Sequence, residues 1–179
     1  MGTTTTLVTV QEFLAMPEPE GERLELIGGE IVSMSQAGYP HEVTKSNVIR
    51  VLTAWSLQNP GLRLLCETSY QLDDRNCLIP DISLINENRI VPGSRGVFQG
   101  APEIAIEVVS SESAARLEDK IELYLACGGK SVWVVYPERR AVRIDTVYGM
   151  KKFRRDQPLV DPAVLPGFSV PTSAIFEGV

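Results

Sequence analysis

The segment Glu103–Val109 constrains the fold more than any other part of the chain. Ile104, Ile106 and Val108 alternate with Ala105, Glu107 and Val109. A period of two with apolar residues on both faces describes a strand inside a sheet, covered on both sides. Ser110 to Ser113 offer N-caps for a helix that reaches Ala126, and Gly128-Gly129 stops it. Leu117, Ile121, Tyr124 and Leu125 form the helix's apolar stripe, and Ser131–Tyr136 reads as a strand whose apolar run Val132–Tyr136 suits the core better than an interface. Strand, helix and strand in this order predict a right-handed crossover.

The other elements fit around that unit. Thr9-x-x-Glu12 is a capping box for a short helix ended by Pro17. Leu24–Ile27 and Glu30–Met34 flank Gly28-Gly29, a two-residue hairpin turn. His41–Gln58 reads as a helix, with Val48, Val51, Leu52 and Trp55 on one face. Leu62–Leu72 reads as one strand, and Leu78–Ile85 as another interrupted by Pro80-Asp81. Asn86–Pro102 reads as a loop, Ala141–Val147 as a strand, and Val164–Val170 as an edge segment before a terminal helix. The pattern predicts an α/β (α+β) fold, a mixed β-sheet flanked by a helix on each side, rather than a bundle or a sandwich. A length of 179 residues predicts one domain spanning 1–179.

Three cysteines with no C-x-x-C argue against a disulfide framework or a structural zinc site. No apolar run reaches the roughly 18–20 residues of a membrane helix. Nor does a basic segment lead into an apolar one as in a signal peptide. A cytoplasmic protein without a membrane partner is expected. Met1-Gly2 with Thr6 matches a myristoylation pattern, but the threonine run reads more simply as a frayed start.

Several chemistries are excluded by their own motifs. Gly129-Lys130-Ser131 resembles the end of a phosphate-binding loop, yet Tyr124 stands where its first glycine belongs. The element order is also reversed. There is no G-x-S-x-G elbow and no dinucleotide glycine fingerprint. A single histidine, His41, excludes a histidine-rich metal centre.

A carboxylate constellation survives. Glu107 on an interior strand is costly to bury unless paired or bound to a metal. Asp81 follows Pro80 inside an otherwise apolar strand. Two carboxylates on neighbouring strands can hold Mg2+ or Mn2+, with water and phosphate oxygens completing the shell. Lys120 is expected at the edge of the helix stripe, its ammonium emerging near the strand ends to serve an attacking water. His41 projects with Val48 and Leu52 and faces inward. Glu25 and Glu30 share a hairpin face, and either could add a carboxylate. Structural alternatives stand beside each residue: a Pro-Asp turn, an internal arginine partner for Glu107, a solvated helix flank for Lys120, a satisfied core or capping role for His41, and hairpin salt bridges.

Arg23–Glu30, His41, Pro80-Asp81-Ile82, Glu107–Ser110, Lys120, Val132–Val135 and Leu165–Phe168 together resemble a known pattern. They are similar to the restriction-endonuclease-like family multiplied in photosynthetic bacteria (the Uma-two type), within the PD-(D/E)XK nuclease superfamily. The likeness runs from about Val10 to Phe176. It implies a restriction-endonuclease-like core and metal-dependent phosphodiester hydrolysis, with Asp81 as the motif aspartate and Glu107 as the second acid. Val109 stands where the motif has lysine. The family is similar in this, its lysine having moved to the following helix, where Lys120 stands.

The expectation is therefore a Mg2+- or Mn2+-dependent endonuclease acting on DNA, with a homodimer suited to paired cuts. Asp81 and Glu107 would hold the metal and Lys120 would assist the water, with His41 or Glu25 accessory. A degenerate nuclease fold that binds nucleic acid or a protein remains open, as does a hydrolase of a small phosphoester. The net charge of −6 argues against a general nucleic-acid coat protein or a polybasic membrane binder. Residues 116–155, however, hold 10 Lys/Arg against 5 Asp/Glu, a net +5, and the remainder is −11. A local phosphate footprint is compatible with that split, as is a solvated charged hairpin.

Overall fold

The computed structural model describes residues 7–17, 19, 22–34, 37–93, 96–111 and 113–179. Thr6 and the rest of the myristoylation pattern lie outside them. The chain opens with helix α1 (Val10–Ala15), whose Thr9/Glu12 capping box forms as expected. Strands β1 (Leu24–Ile27) and β2 (Glu30–Ser33) follow as a hairpin turning on Gly28-Gly29. Both glycines have positive φ, the geometry a two-residue hairpin turn requires. Helix α2 (Tyr39–Ser56) starts two residues before the expected His41, because Pro40 is tolerated in the first turn.

Six strands make the main sheet. They are β3 (Leu62–Cys66), β6 (Ile82–Asn86), β8 (Ile104–Val108), β9 (Ser131–Tyr136), β10 (Ala141–Thr146) and β11 (Gly149–Arg154), in the order β11-β10-β9-β8-β6-β3. A smaller sheet joins the hairpin to β4 (Tyr70–Gln71), β5 (Cys77–Leu78) and β7 (Phe98–Gln99) in the order β2-β1-β5-β4-β7. Helix α3 (Ala114–Ala126) connects β8 to β9, which run parallel as the crossover expectation demands.

The two faces of β8 lead to two cores. Ile104, Ile106 and Val108 pack with Trp133, Val135 and the α2 residues Val48, Val51 and Leu52. Ala105 packs with Val132, Val134 and the α3 residues Leu117, Ile121 and Tyr124. A helix thus covers each face of a mixed sheet, and Val132–Val135 is core.

Three expectations change. Leu62–Leu72 is not one strand: it breaks at Glu67, whose φ is +50°, and the chain passes from the main sheet to the small one. The loop Asn86–Pro102 contains β7 and a 3-10 turn at Glu87–Arg89. Val164–Val170 is not an extended edge. Val164, Leu165 and Phe168 turn into the core, and only Val170–Pro171 pairs, with Pro158–Leu159. The terminal helix is a 3-10 turn, Thr172–Phe176. Strand β11 has no counterpart in the sequence reading, because Lys151, Lys152 and Arg154 hide its single buried apolar residue, Phe153. Among the described residues no helix is long and apolar enough to cross a membrane.

Candidate active site

The site forms where the two sheets part. Strand β5 belongs to the small sheet and β6 to the main one, and Pro80-Asp81 is the step between them. Pairing of β6 with β8 stops at Ile82–Ile106. The N–H of Val108 then has no strand partner on that side, and Asp81 Oδ2 accepts it at 2.7 Å. This substitution for a missing ladder bond aims the Asp81 carboxylate at the carboxyl end of β8. Its other oxygen, Oδ1, lies 3.2 Å from Nε2 of His41 in the first turn of α2.

Glu107 sits one residue earlier on β8 and points to the α3 face. Lys120 Nζ is 2.8 Å from its Oε1, and the Tyr124 hydroxyl donates to the same oxygen at 2.9 Å. Lys120 and Tyr124 are four residues apart on α3, so both reach the same spot. Lys120 also lies 3.2 Å from Glu25 Oε1 on β1. Glu25 in turn accepts the N–H of Ile79 at 2.7 Å, just beyond the end of β5.

Lys120 is therefore not at the edge of the stripe with its ammonium emerging. It is 2% exposed, between Glu25 and Glu107, because two buried carboxylates attract it more strongly than the strand ends do. Glu107 has the lysine as its buried cation, not an internal arginine. Glu30 shares the face of Glu25 but is exposed and lines a separate groove. Glu25 is the hairpin carboxylate that enters the cluster.

All five candidate residues, Glu25, His41, Asp81, Glu107 and Lys120, line one cleft of about 680 Å³. Its rim holds groups the sequence reading did not single out. Arg23 pairs with Glu67, and Lys45 bridges Glu67 and Glu42 at 2.9 Å each. Glu42 also lies 3.1 Å from Nδ1 of His41. Arg116 stands at the start of α3. Tyr124 was legible as a core residue, and its position four after Lys120 is the signal that marks its second role.

The electrostatics follow from burial. Desolvation pushes the Glu107 carboxyl up to about 8, against the pull of Lys120, with Glu25 and Asp81 adding repulsion. Burial raises the Tyr124 hydroxyl further above its ordinary value, and the neighbouring carboxylates add to it. Burial works against protonation of His41, yet Asp81 and Glu42 outweigh it and hold the imidazole above its ordinary value.

A mixed sheet covered by one helix on each face, with buried carboxyls where it parts from the smaller sheet, defines an α/β domain with an acidic cleft. The chain has this fold in common with a crystal structure from Anabaena variabilis ATCC 29413, described as "a putative nuclease belonging to DUF820". The two agree with a TM-score of 0.83 and 23% identity, over 94% of this chain and 97% of the other. No curated protein matches. The chain belongs to the Uma2 family, whose model, described as "Putative restriction endonuclease", matches residues 10–173.

Proposed function

We propose that this protein is a Mg2+- or Mn2+-dependent nuclease that hydrolyses DNA phosphodiester bonds in the cleft at the end of β8. The observation that carries the reading is the charge of the cleft floor. Two buried carboxyls, Glu25 and Glu107, meet one buried ammonium, Lys120, and a third, Asp81, lines the same cleft against His41. Glu107 meets that shortage of positive charge by keeping its proton to about 8, and a divalent cation can take the proton's place. The donors are hard carboxylate oxygens with one imidazole, the set that suits Mg2+ or Mn2+. Among the described residues no group of three or more His, Cys, Asp or Glu stands ready to hold a metal. Asp81 and Glu107 are the pair that would hold it, with water and phosphate oxygens as further ligands.

A bound ion would neutralise phosphate charge and acidify a neighbouring water. The protein does the rest. Asp81 is oriented by the Val108 N–H and by His41, and Glu107 by Tyr124 and Lys120. Lys120 stands where an ammonium can orient the attacking water and oppose charge that develops on the phosphate. Glu25 anchors Lys120, so the lysine is positioned before substrate arrives. This arrangement supports the view that a lysine on the helix serves in place of one at Val109, which favours catalysis over a degenerate binding scaffold.

The test is cleavage of plasmid and linear DNA with Mn2+ or Mg2+, beside calorimetry with Mn2+ alone. Wild-type protein should cut, and Asp81→Asn should lose at least a hundredfold in rate. Glu107→Gln should weaken Mn2+ binding. Cleavage at full rate by Asp81→Asn would remove the mechanism. Hydrolysis of nucleotides or other small phosphoesters without any cutting of DNA would redirect the reading to a small substrate.

A further inference from the structure

The carboxyl end of the main sheet carries a second feature that the cleft does not use. Strand register aligns Val108 with Val135, Val135 with Val142, and Val142 with Phe153. One step further, Tyr136, Ala141 and Arg154 share a row. The turn Pro137–Arg140 between β9 and β10 and the end of β11 therefore lie at the same end of the sheet as the cleft. Arg139, Arg154 and Arg155 are exposed there, and Lys152 is half-buried with its ammonium 5.5 Å from the centre of the Tyr136 ring.

Among the described residues no carboxylate pairs with these cations. Arg143, beside Lys152 in register, is committed to Glu118 at 2.7 Å and Asp145 at 2.6 Å. Arg139, Lys152, Arg154 and Arg155 make no ion pair among the described residues. They crowd one another instead: Lys152 is held below its ordinary value, first by burial and then by Arg154, Arg139 and Arg143. A chain that is −11 outside residues 116–155 thus keeps mutually repelling cations at one corner.

We infer that the β9–β10 turn and the end of β11 form a track for the phosphate backbone of duplex DNA, leading substrate to one side of the cleft. The inference rests on the nuclease reading above and adds the path of the substrate. Three strand spacings of about 4.8 Å separate β8 from β11, so the track lies roughly 14 Å from Glu107. At a rise of about 3.4 Å per base pair that is about four base pairs from the scissile phosphate. Arg116, exposed at the start of α3 and lining the cleft, lies at the cleft end of the path. A membrane surface fits the corner poorly, because the exposed Val147, Tyr148 and Met150 sit at the opposite end of the β10–β11 hairpin.

The experiment is anisotropy of a labelled 20-base-pair duplex with full-length protein in EDTA, titrated at several salt concentrations. Arg139→Ser, Lys152→Ser and Arg154→Ser together should weaken binding at least tenfold at low salt. They should also reduce the slope of log affinity against log salt by about 2 to 3. Lysine in place of both arginines should restore most of the slope, which separates lost charge from lost folding. Arg63→Ser with Lys130→Ser, at the far end of the sheet, should leave the slope unchanged. An unchanged slope in the triple variant would overturn the track, as would an equal change in the far-end pair or tighter binding of polyglutamate than of DNA. If wild type cuts DNA while the triple variant keeps its slope, only the track fails. If wild type neither binds nor cuts DNA, the track and the nuclease reading fall together.

Discussion

The floor and the rim of the cleft are built from the same chemistry under different solvation. On the floor, Lys120 meets Glu25 and Glu107, with all three at most 5% exposed. On the rim, Arg23 meets Glu67 with side chains 52% and 29% exposed. Both are charge pairs at hydrogen-bonding distance. The floor pair has given up water for its partners, so removing one partner strands a charge in a poor dielectric. The rim pair keeps water as an alternative partner, and its loss is largely made good. Depth, not the number of contacts, should decide what each pair contributes.

Lys120→Met is the largest break to make. It leaves the Glu25 carboxylate buried without its cation, beside a Glu107 that keeps its proton, and the expected loss is about 3–5 kcal/mol of unfolding free energy by urea titration. A loss under about 1 kcal/mol would mean that water reaches the floor and that the comparison is wrong. The next effect is in pH. Folded Glu107 keeps its proton to about 8 against an ordinary value of 4.5, so between these limits the folded state binds more protons than the unfolded. Stability should fall as pH rises from about 4.5 to about 8, then level off. His41 acts in the same direction: its contribution is complete below its ordinary 6.5 and is lost as pH rises through its raised folded value. Glu107→Gln removes the first contribution and keeps the second. Urea titrations of both proteins in EDTA should therefore converge at low pH and separate as pH rises; parallel profiles would overturn the assignment to Glu107.

Much of this contrast is legible in the sequence. The apolar alternation around Glu107 showed that its side chain must leave water, and the helix period showed His41 facing inward. The sheet and its two covering helices follow from the same two periods. The fate of Lys120 was not legible, because it depends on Glu25 arriving from a different sheet, 95 residues away in sequence. Local pattern carries no information about such a meeting. The split at Glu67 escaped for a related reason: Leu62–Leu72 has strand-forming residues throughout, and only the divergence of two sheets forces the left-handed turn. Strand β11 was hidden by its own solubility, since an edge strand with lysine and arginine on its surface reads as a charged hairpin.

Two smaller tests compare floor with rim directly. Tyr124→Phe removes one donor to Glu107 and changes little volume, and above about pH 8, where Glu107 is ionised, the lost bond to a charged group should lower stability by about 1.5–3 kcal/mol. Because Glu107 loses a partner that helps to orient it, the same variant should also weaken Mn2+ binding in calorimetry. Arg23→Ser sits at the other extreme. Glu67 keeps Lys45 as a second cation at 2.9 Å and remains partly in water, so its charge is never stranded. The expected loss is under about 1 kcal/mol, shrinking further at high salt as the exposed pair is screened. A loss at Arg23 equal to that at Tyr124, and insensitive to salt, would show that the rim closes over the cleft as drily as the floor.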